Sequence, residues 1–172
     1  MLFRSTALLS GIVVDTNSFT FRTGSRTFDA ASYLRSKGAD TLLIQNLLED
    51  DLEVYIKRSH LIERTEIYQD YIAIAKAEVG QVFSSVVIAQ TADTLLSMRN
   101  ILASFVICER SDGKVGISAR SVGDVNVQVI MEQMDGGGHL TNAATQLEDV
   151  SIEQAYQQLT KIIDQTIEGG DE

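Results

Sequence analysis

The clearest hydrophobic pattern lies near the end of the chain, where Ile152, Ala155, Tyr156, Leu159, Ile162 and Ile163 recur at helical spacing. That stripe predicts an amphipathic helix. Ser151 and Gln154 form a capping box at its start, and Gly169-Gly170 ends it. Val125–Met134 reads as a second amphipathic helix, with Val125, Val129 and Ile130 turned inward. Two apolar runs, Ala103–Cys108 and Val115–Ala119, flank Ser111-Asp112-Gly113, a good hairpin signal. Val86-Val87-Ile88 favours strand locally, yet the length of Val82–Met98 and its later Ala92, Leu95 and Leu96 predict a helix. Alternation over Tyr71–Ala75 predicts a further strand.

Upstream, Leu52 to about Arg64 is a charged helix with Leu52, Tyr55, Ile56 and Ile62 on one side and a solvated His60. Helices are also expected over Thr27–Ser36, with Gly38 after it, and over Asp40–Leu48. Phe19 to Arg26 reads as an extended stretch ending in a polar turn. At the start, Thr6–Ser10 is the end of a helix stopped by Gly11. Ile12-Val13-Val14 is then a short β-branched strand running into Asp15. A carboxylate at the C-terminal end of a buried strand is where open α/β sheets place ligands. Asp15 equally suits the capping chemistry of Asp-Thr-Asn-Ser. Arg22 and Arg26 are the basic residues flanking it.

The remaining chemistry concentrates at Gly136-Gly137-Gly138-His139. Three glycines let a ligand approach the backbone, and the imidazole can donate a hydrogen bond or take up a proton. Leu140–Thr145 reads as the start of a helix, so the loop would aim backbone amides at an anion. A tight turn between two helices is the competing reading.

Composition narrows the options. A net charge of −10 (14 basic against 24 acidic residues) argues against broad binding to a nucleic-acid backbone. It leaves room for a small phosphorylated ligand held by local donors. One cysteine and two histidines exclude an internal disulfide and a Cys/His zinc cluster. Cys108 sits in an apolar run and reads as a buried thiol in a reducing, cytoplasmic setting. No apolar run reaches the roughly 18 residues of a membrane span, and Met1–Ile12 lacks the core of a signal peptide.

Three blocks now read together: Gly11-Ile12-Val13-Val14-Asp15-Thr16, Ile117-Ser118-Ala119-Arg120-Ser121 and Gly136-Gly137-Gly138-His139. In this order they resemble the last motif of a DHH-family phosphoesterase followed by its DHH-associated C-terminal domain. Ser25–Asp29, Ala92–Met98 and Asn126-Val127-Gln128 strengthen a likeness to the GdpP-type cyclic di-AMP phosphodiesterases. The resemblance implies an α/β fold in pieces. Residues 1–50 would be the C-terminal part of a DHH catalytic domain and 51–65 a linker helix. Residues 66–168 would be a substrate-binding domain with a small mixed sheet and flanking helices.

The resemblance also implies that Asp15 is a catalytic ligand in a two-Mn²⁺ centre. Such a centre activates water and stabilises the leaving oxygen of a phosphodiester. Gly136, Gly137, Gly138, His139 and Arg120 would hold substrate, with Ser118, Asn126 and Arg26 as further candidates. The Asp-His-His triplet itself is absent. The chain therefore resembles the C-terminal part of a larger, membrane-anchored enzyme whose catalytic part is cytoplasmic, and alone it is expected to be inactive. Its expected partners are a cyclic dinucleotide or short oligonucleotide and the missing N-terminal part, with a homodimer left open. A RecJ-like or oligonucleotide-degrading phosphoesterase, or a non-catalytic nucleotide-binding fragment, would share the same motifs.

Overall fold

The computed structural model describes residues 2–20, 23–49 and 51–168. The chain divides into two compact units, Met1–Asp51 and Leu52–Glu172.

The first unit is helical: α1 (Leu2–Asp15), α2 (Ser25–Ser36) and α3 (Thr41–Leu47). Leu9, Ala39 and Ile44 form its buried centre, with Val13, Phe19, Ala31 and Leu34 packed around them. The strand expected at Ile12–Val14 is instead the last turn of α1. One glycine costs a helix interior only about 1 kcal/mol, and a Cβ at Gly11 would meet nothing within 4 Å. The helix gives out at Thr16, whose hydroxyl donates to the Ile12 carbonyl at 2.7 Å. Asn17, Ser18 and Phe19 then adopt left-handed backbone. The extended stretch expected from Phe19 to Arg26 is thus a turn at its start and the first turn of α2 at its end. Phe21 and Arg22 lie outside the described residues, as do Gly169 and Gly170. Asp40 caps α3 by accepting from the amides of Leu42 and Leu43.

The second unit contains α4 (Leu52–Glu63), β1 (Thr65–Tyr68), β2 (Ile72–Lys76), α5 (Ser85–Leu96), β3 (Ala103–Glu109) and β4 (Val115–Ser121). There follow α6 (Val127–Glu132), β5 (Gly137–His139), β6 (Asn142–Leu147) and α7 (Ile152–Glu168). The described strands form one mixed sheet in the order β1-β2-β3-β4-β6-β5. Among the named strands only β2 and β3 pair in parallel, across the α5 connection, and every other strand pair is antiparallel. The stretch expected as a linker, α4, packs on α5 and β2, and Leu61 is buried in the core of this unit.

Strand register sorts the side chains into two faces. Ser104 in β3 donates to the Ala92 carbonyl of α5, so its face lies under that helix. Arg120 and Ser118 stand opposite Ser104 and Val106 on that same face. The other face, with Phe105, Ile107, Ile117 and Ala119, belongs to the core completed by α6 and α7. Thr145 on that face donates to the Met134 carbonyl at 2.5 Å. In α6, Val127, Ile130 and Met131 are buried, whereas Val129, expected to point inward, is 40% exposed. The helix starts two residues later than expected, with Asn126 as its cap. The capping box of α7 forms as expected, with Gln154 Oε1 accepting from Ser151 N at 2.8 Å.

The largest departure concerns the glycines. Gly137–His139 is a strand, and the residues after it form β6, not a helix. The expected amide cradle at a helix N-terminus is therefore replaced by an antiparallel hairpin. Asp135 in left-handed backbone turns the chain out of α6, with the Gly136 amide donating to the Met131 carbonyl at 2.8 Å. The Leu140-Thr141 turn is held by the Ser121 amide on the Thr141 carbonyl and the Val127 amide on the Leu140 carbonyl.

Candidate functional site

The α5 helix roofs β3 and β4 but leaves the same face of β6 and β5 uncovered. Between the edge of that roof and the uncovered strands lies a cleft of about 640 Å³, within the usual range for small-molecule sites. Ser85, Ile88 and Ala89 of α5 form one wall. Gly116, Ser118 and Arg120 of β4, with the β6 residues opposite them, form the floor.

The three glycines play different parts. A Cβ at Gly136 would strike the Ala144 carbonyl and stand 2.6 Å from Thr145 Cβ. A Cβ at Gly138, whose φ is +152°, would strike the Asn142 carbonyl and the Ala143 backbone. These two are required by the close approach of β5, and of the residue before it, to β6. At Gly137 a Cβ would meet nothing within 4 Å, and the residue lines the cleft. Register places it in one row with Ala144 and Ser118. The next row of that face holds His139, Asn142 and Arg120.

Arg120 is the best-held side chain in the cleft. Its Nε donates to Asp93 of α5 at 2.7 Å, and its Nη1 donates to Ser118 Oγ at 3.1 Å and to the Ala119 carbonyl at 2.9 Å. Only 17% of the side chain is exposed. A fork fixed this way suits planar oxyanion recognition. Toward the β3–β4 turn, Arg110 donates through Nε and Nη2 to Asp112, and Lys114 pairs with Glu148 at 2.5 Å. Arg110 holds the Asp112 carboxyl below its ordinary range, chiefly by hydrogen bonding, and Lys114 does the same for Glu148. Three basic residues thus line one cleft of a chain whose net charge is −10. Cys108 lies outside the site: burial pushes its thiol up to about 12.

Of the expected site residues, the cleft brings together Ser118, Arg120, Gly136, Gly137 and Gly138. His139 is exposed on the adjoining edge strand. Asn126 accepts from the Val129 amide as the cap of α6 and does not line the cleft. Asp15 and Arg26 belong to the first unit, Asp15 at the end of α1 and Arg26 exposed in the first turn of α2. Among the described residues no group of three or more His, Cys, Asp and Glu could hold a metal ion. Asp15 supplies at most two oxygens, so the residues present do not fit a two-manganese centre. Sequence reasoning missed Arg110, Lys114 and Gly116. The period of two along β4, carried back from Arg120 through Ser118, was the signal pointing to Gly116.

Fold and cleft together define a class: a mixed α/β domain whose sheet is roofed over one half and open over the other. Within that class, this chain belongs to the DHHA1 domain family, whose profile matches residues 70–169. It is 62% identical over 169 residues to the cyclic-di-AMP phosphodiesterase GdpP of Geobacillus thermodenitrificans, covering 98% of this chain and 26% of that protein. It is 61% identical over 160 residues to the cyclic-di-AMP phosphodiesterase PdeA of Listeria monocytogenes, covering 93% of this chain and 24% of that protein. The Bacillus subtilis GdpP is 56% identical over 171 residues, with 98% and 26% covered. The chain thus spans about a quarter of the length of these relatives. An exopolyphosphatase-related protein from Bacteroides fragilis shares the fold, with a TM-score of 0.79 at 21% identity over 90% of this chain and 47% of that one. No described helix is long and apolar enough to cross a membrane.

Proposed function

We propose that this chain is the nucleotide-binding part of a cyclic-di-AMP phosphodiesterase, taking a phosphate of the ligand between Gly137 and Arg120. The observation that carries this reading is the bare backbone of Gly137, open to the same cleft that Arg120 lines. The high identity to named cyclic-di-AMP phosphodiesterases supports the choice of ligand. His139, in the row of Arg120 and Asn142, would add a hydrogen bond from the edge strand. Hydrolysis itself, and its Mn²⁺ dependence, rest on the family resemblance. In this chain Asp15 is the one carboxylate assigned to that chemistry, so turnover requires ligands supplied from outside these 172 residues.

Calorimetric titration with cyclic di-AMP tests the reading. The unaltered chain should bind, and Gly137→Asp, which puts a carboxylate where the phosphate sits, should weaken binding at least about tenfold, or about 1.4 kcal/mol. Asp15→Ala should bind as the parent does, and added Mn²⁺ should yield no linear dinucleotide. Indifference to Gly137→Asp, or loss of binding on Asp15→Ala, overturns the assignment.

A further inference from the structure

We infer that Arg110 is a second phosphate-gripping residue, so that the cleft recognises a ligand carrying two phosphates rather than one. This rests on the nucleotide-binding reading above. Arg110 and Arg120 are built alike. Each is pinned through Nε by an aspartate, Asp112 in one case and Asp93 in the other. Each keeps one terminal nitrogen with no protein partner among the described residues: Nη1 of Arg110 and Nη2 of Arg120. Both are largely buried for arginines, at 22% and 17% side-chain exposure, and both line the same cleft.

The seat of Arg110 is specific. Its stem lies across β4 at Gly116, where a Cβ would stand 2.8 Å from Arg110 Cδ and 3.2 Å from Cγ. Any side chain at Gly116 would lift the arginine off the sheet. Gly116 and Arg120 lie four residues apart on one strand face, about 13 Å at roughly 3.3 Å per residue. The Arg110 stem therefore covers one end of the β4 floor and Arg120 rises from the other, with the row of Ser118, Ala144 and Gly137 between them. A single phosphate occupies one end. A dinucleotide whose two phosphates are both anionic engages both, and bidentate arginine contacts are the strong kind of charged hydrogen bond.

Titration of the full chain with cyclic di-AMP and with AMP tests this. Arg110→Gln should weaken cyclic di-AMP at least about tenfold and shift AMP less than about twofold, whereas Arg120→Gln should weaken both. Gly116→Ala, which keeps every charge and displaces the Arg110 stem, should weaken cyclic di-AMP several-fold and spare AMP. Equal losses for both ligands, or cyclic di-AMP affinity indifferent to Arg110, overturn the inference while the nucleotide-binding reading stands. Failure of the unaltered chain to bind either ligand sinks that reading, and this inference with it.

Discussion

At the scale of single residues, the glycine run divides into packing and opening. Gly136 and Gly138 are pressed against the backbone of β6, and Gly138 also holds a positive φ. Alanine at either must push two paired strands apart, and overpacking of this kind costs about 1–3 kcal/mol. Gly137 has empty space where its side chain would be and needs no left-handed backbone, so alanine there is neutral or stabilising by up to about 1 kcal/mol and trims the cleft. Thermal unfolding should therefore show a clear fall in Tm for Gly136→Ala and Gly138→Ala and almost none for Gly137→Ala. Ligand titration should show the effect of Gly137→Ala that stability does not. Equal Tm losses at all three positions would mean that Gly137 is also a packing residue.

At the scale of elements, α7 and the β3–β4 hairpin were legible because their patterns are self-contained. An apolar stripe with its own capping box, and two buried runs around Asp112-Gly113, need no knowledge of the rest of the chain. The β5–β6 hairpin was not legible. A glycine strand has no side chains to alternate, and β6 buries Ala143 and Thr145 while exposing Ala144, a weak contrast in hydrophobicity. Ile12–Val14 misled for the opposite reason: β-branched residues signal strand locally, but tertiary packing of α1 overrides them. Edge strand β1 also went unseen, being short and exposed at Glu66 and Ile67. What secures it is distant in sequence. Tyr68 donates to Asp164 of α7 at 2.7 Å and Tyr156 donates to Glu66 at 3.0 Å. The hydrogen bond to Asp164, aided by burial, pushes Tyr68 from 10.0 up to about 12. Below pH 10 the phenol is protonated in folded and unfolded chains alike, and its bond to α7 contributes in full. Between about pH 10 and 12 only the unfolded chain releases the proton, so stability falls through that window. Tyr156 and Cys108 are raised as well and add to the slope. Tyr68→Phe should start less stable and lose less Tm between pH 10 and 12 than the parent; parallel curves would show that Asp164 does not hold the phenol.

At the scale of the whole molecule, the two units differ sharply in how they are held. The first buries Leu9, Ala39 and Ile44 and leaves Phe3, Leu8, Phe28, Tyr33, Leu42 and Leu47 exposed. A unit of about 50 residues with so small a centre is marginal by itself. The second has a continuous core from Leu61 in α4 to Ile163 in α7, and it contains every residue of the cleft. Local opening tracks such differences in buried apolar contact. Chymotrypsin at low ratio should therefore cut first at aromatic sites of the first unit, with Phe3, Phe28 and Tyr33 the exposed candidates. The surviving fragment should begin within or just before α4, because Leu61 ties that helix to the sheet. It should bind cyclic di-AMP with the affinity of the parent chain. Early cleavage inside the sheet would contradict the ranking of the two cores. A stable fragment that no longer binds would place part of the ligand site in the helices before residue 52, and the cleft between α5 and β6 could not then be the whole of it.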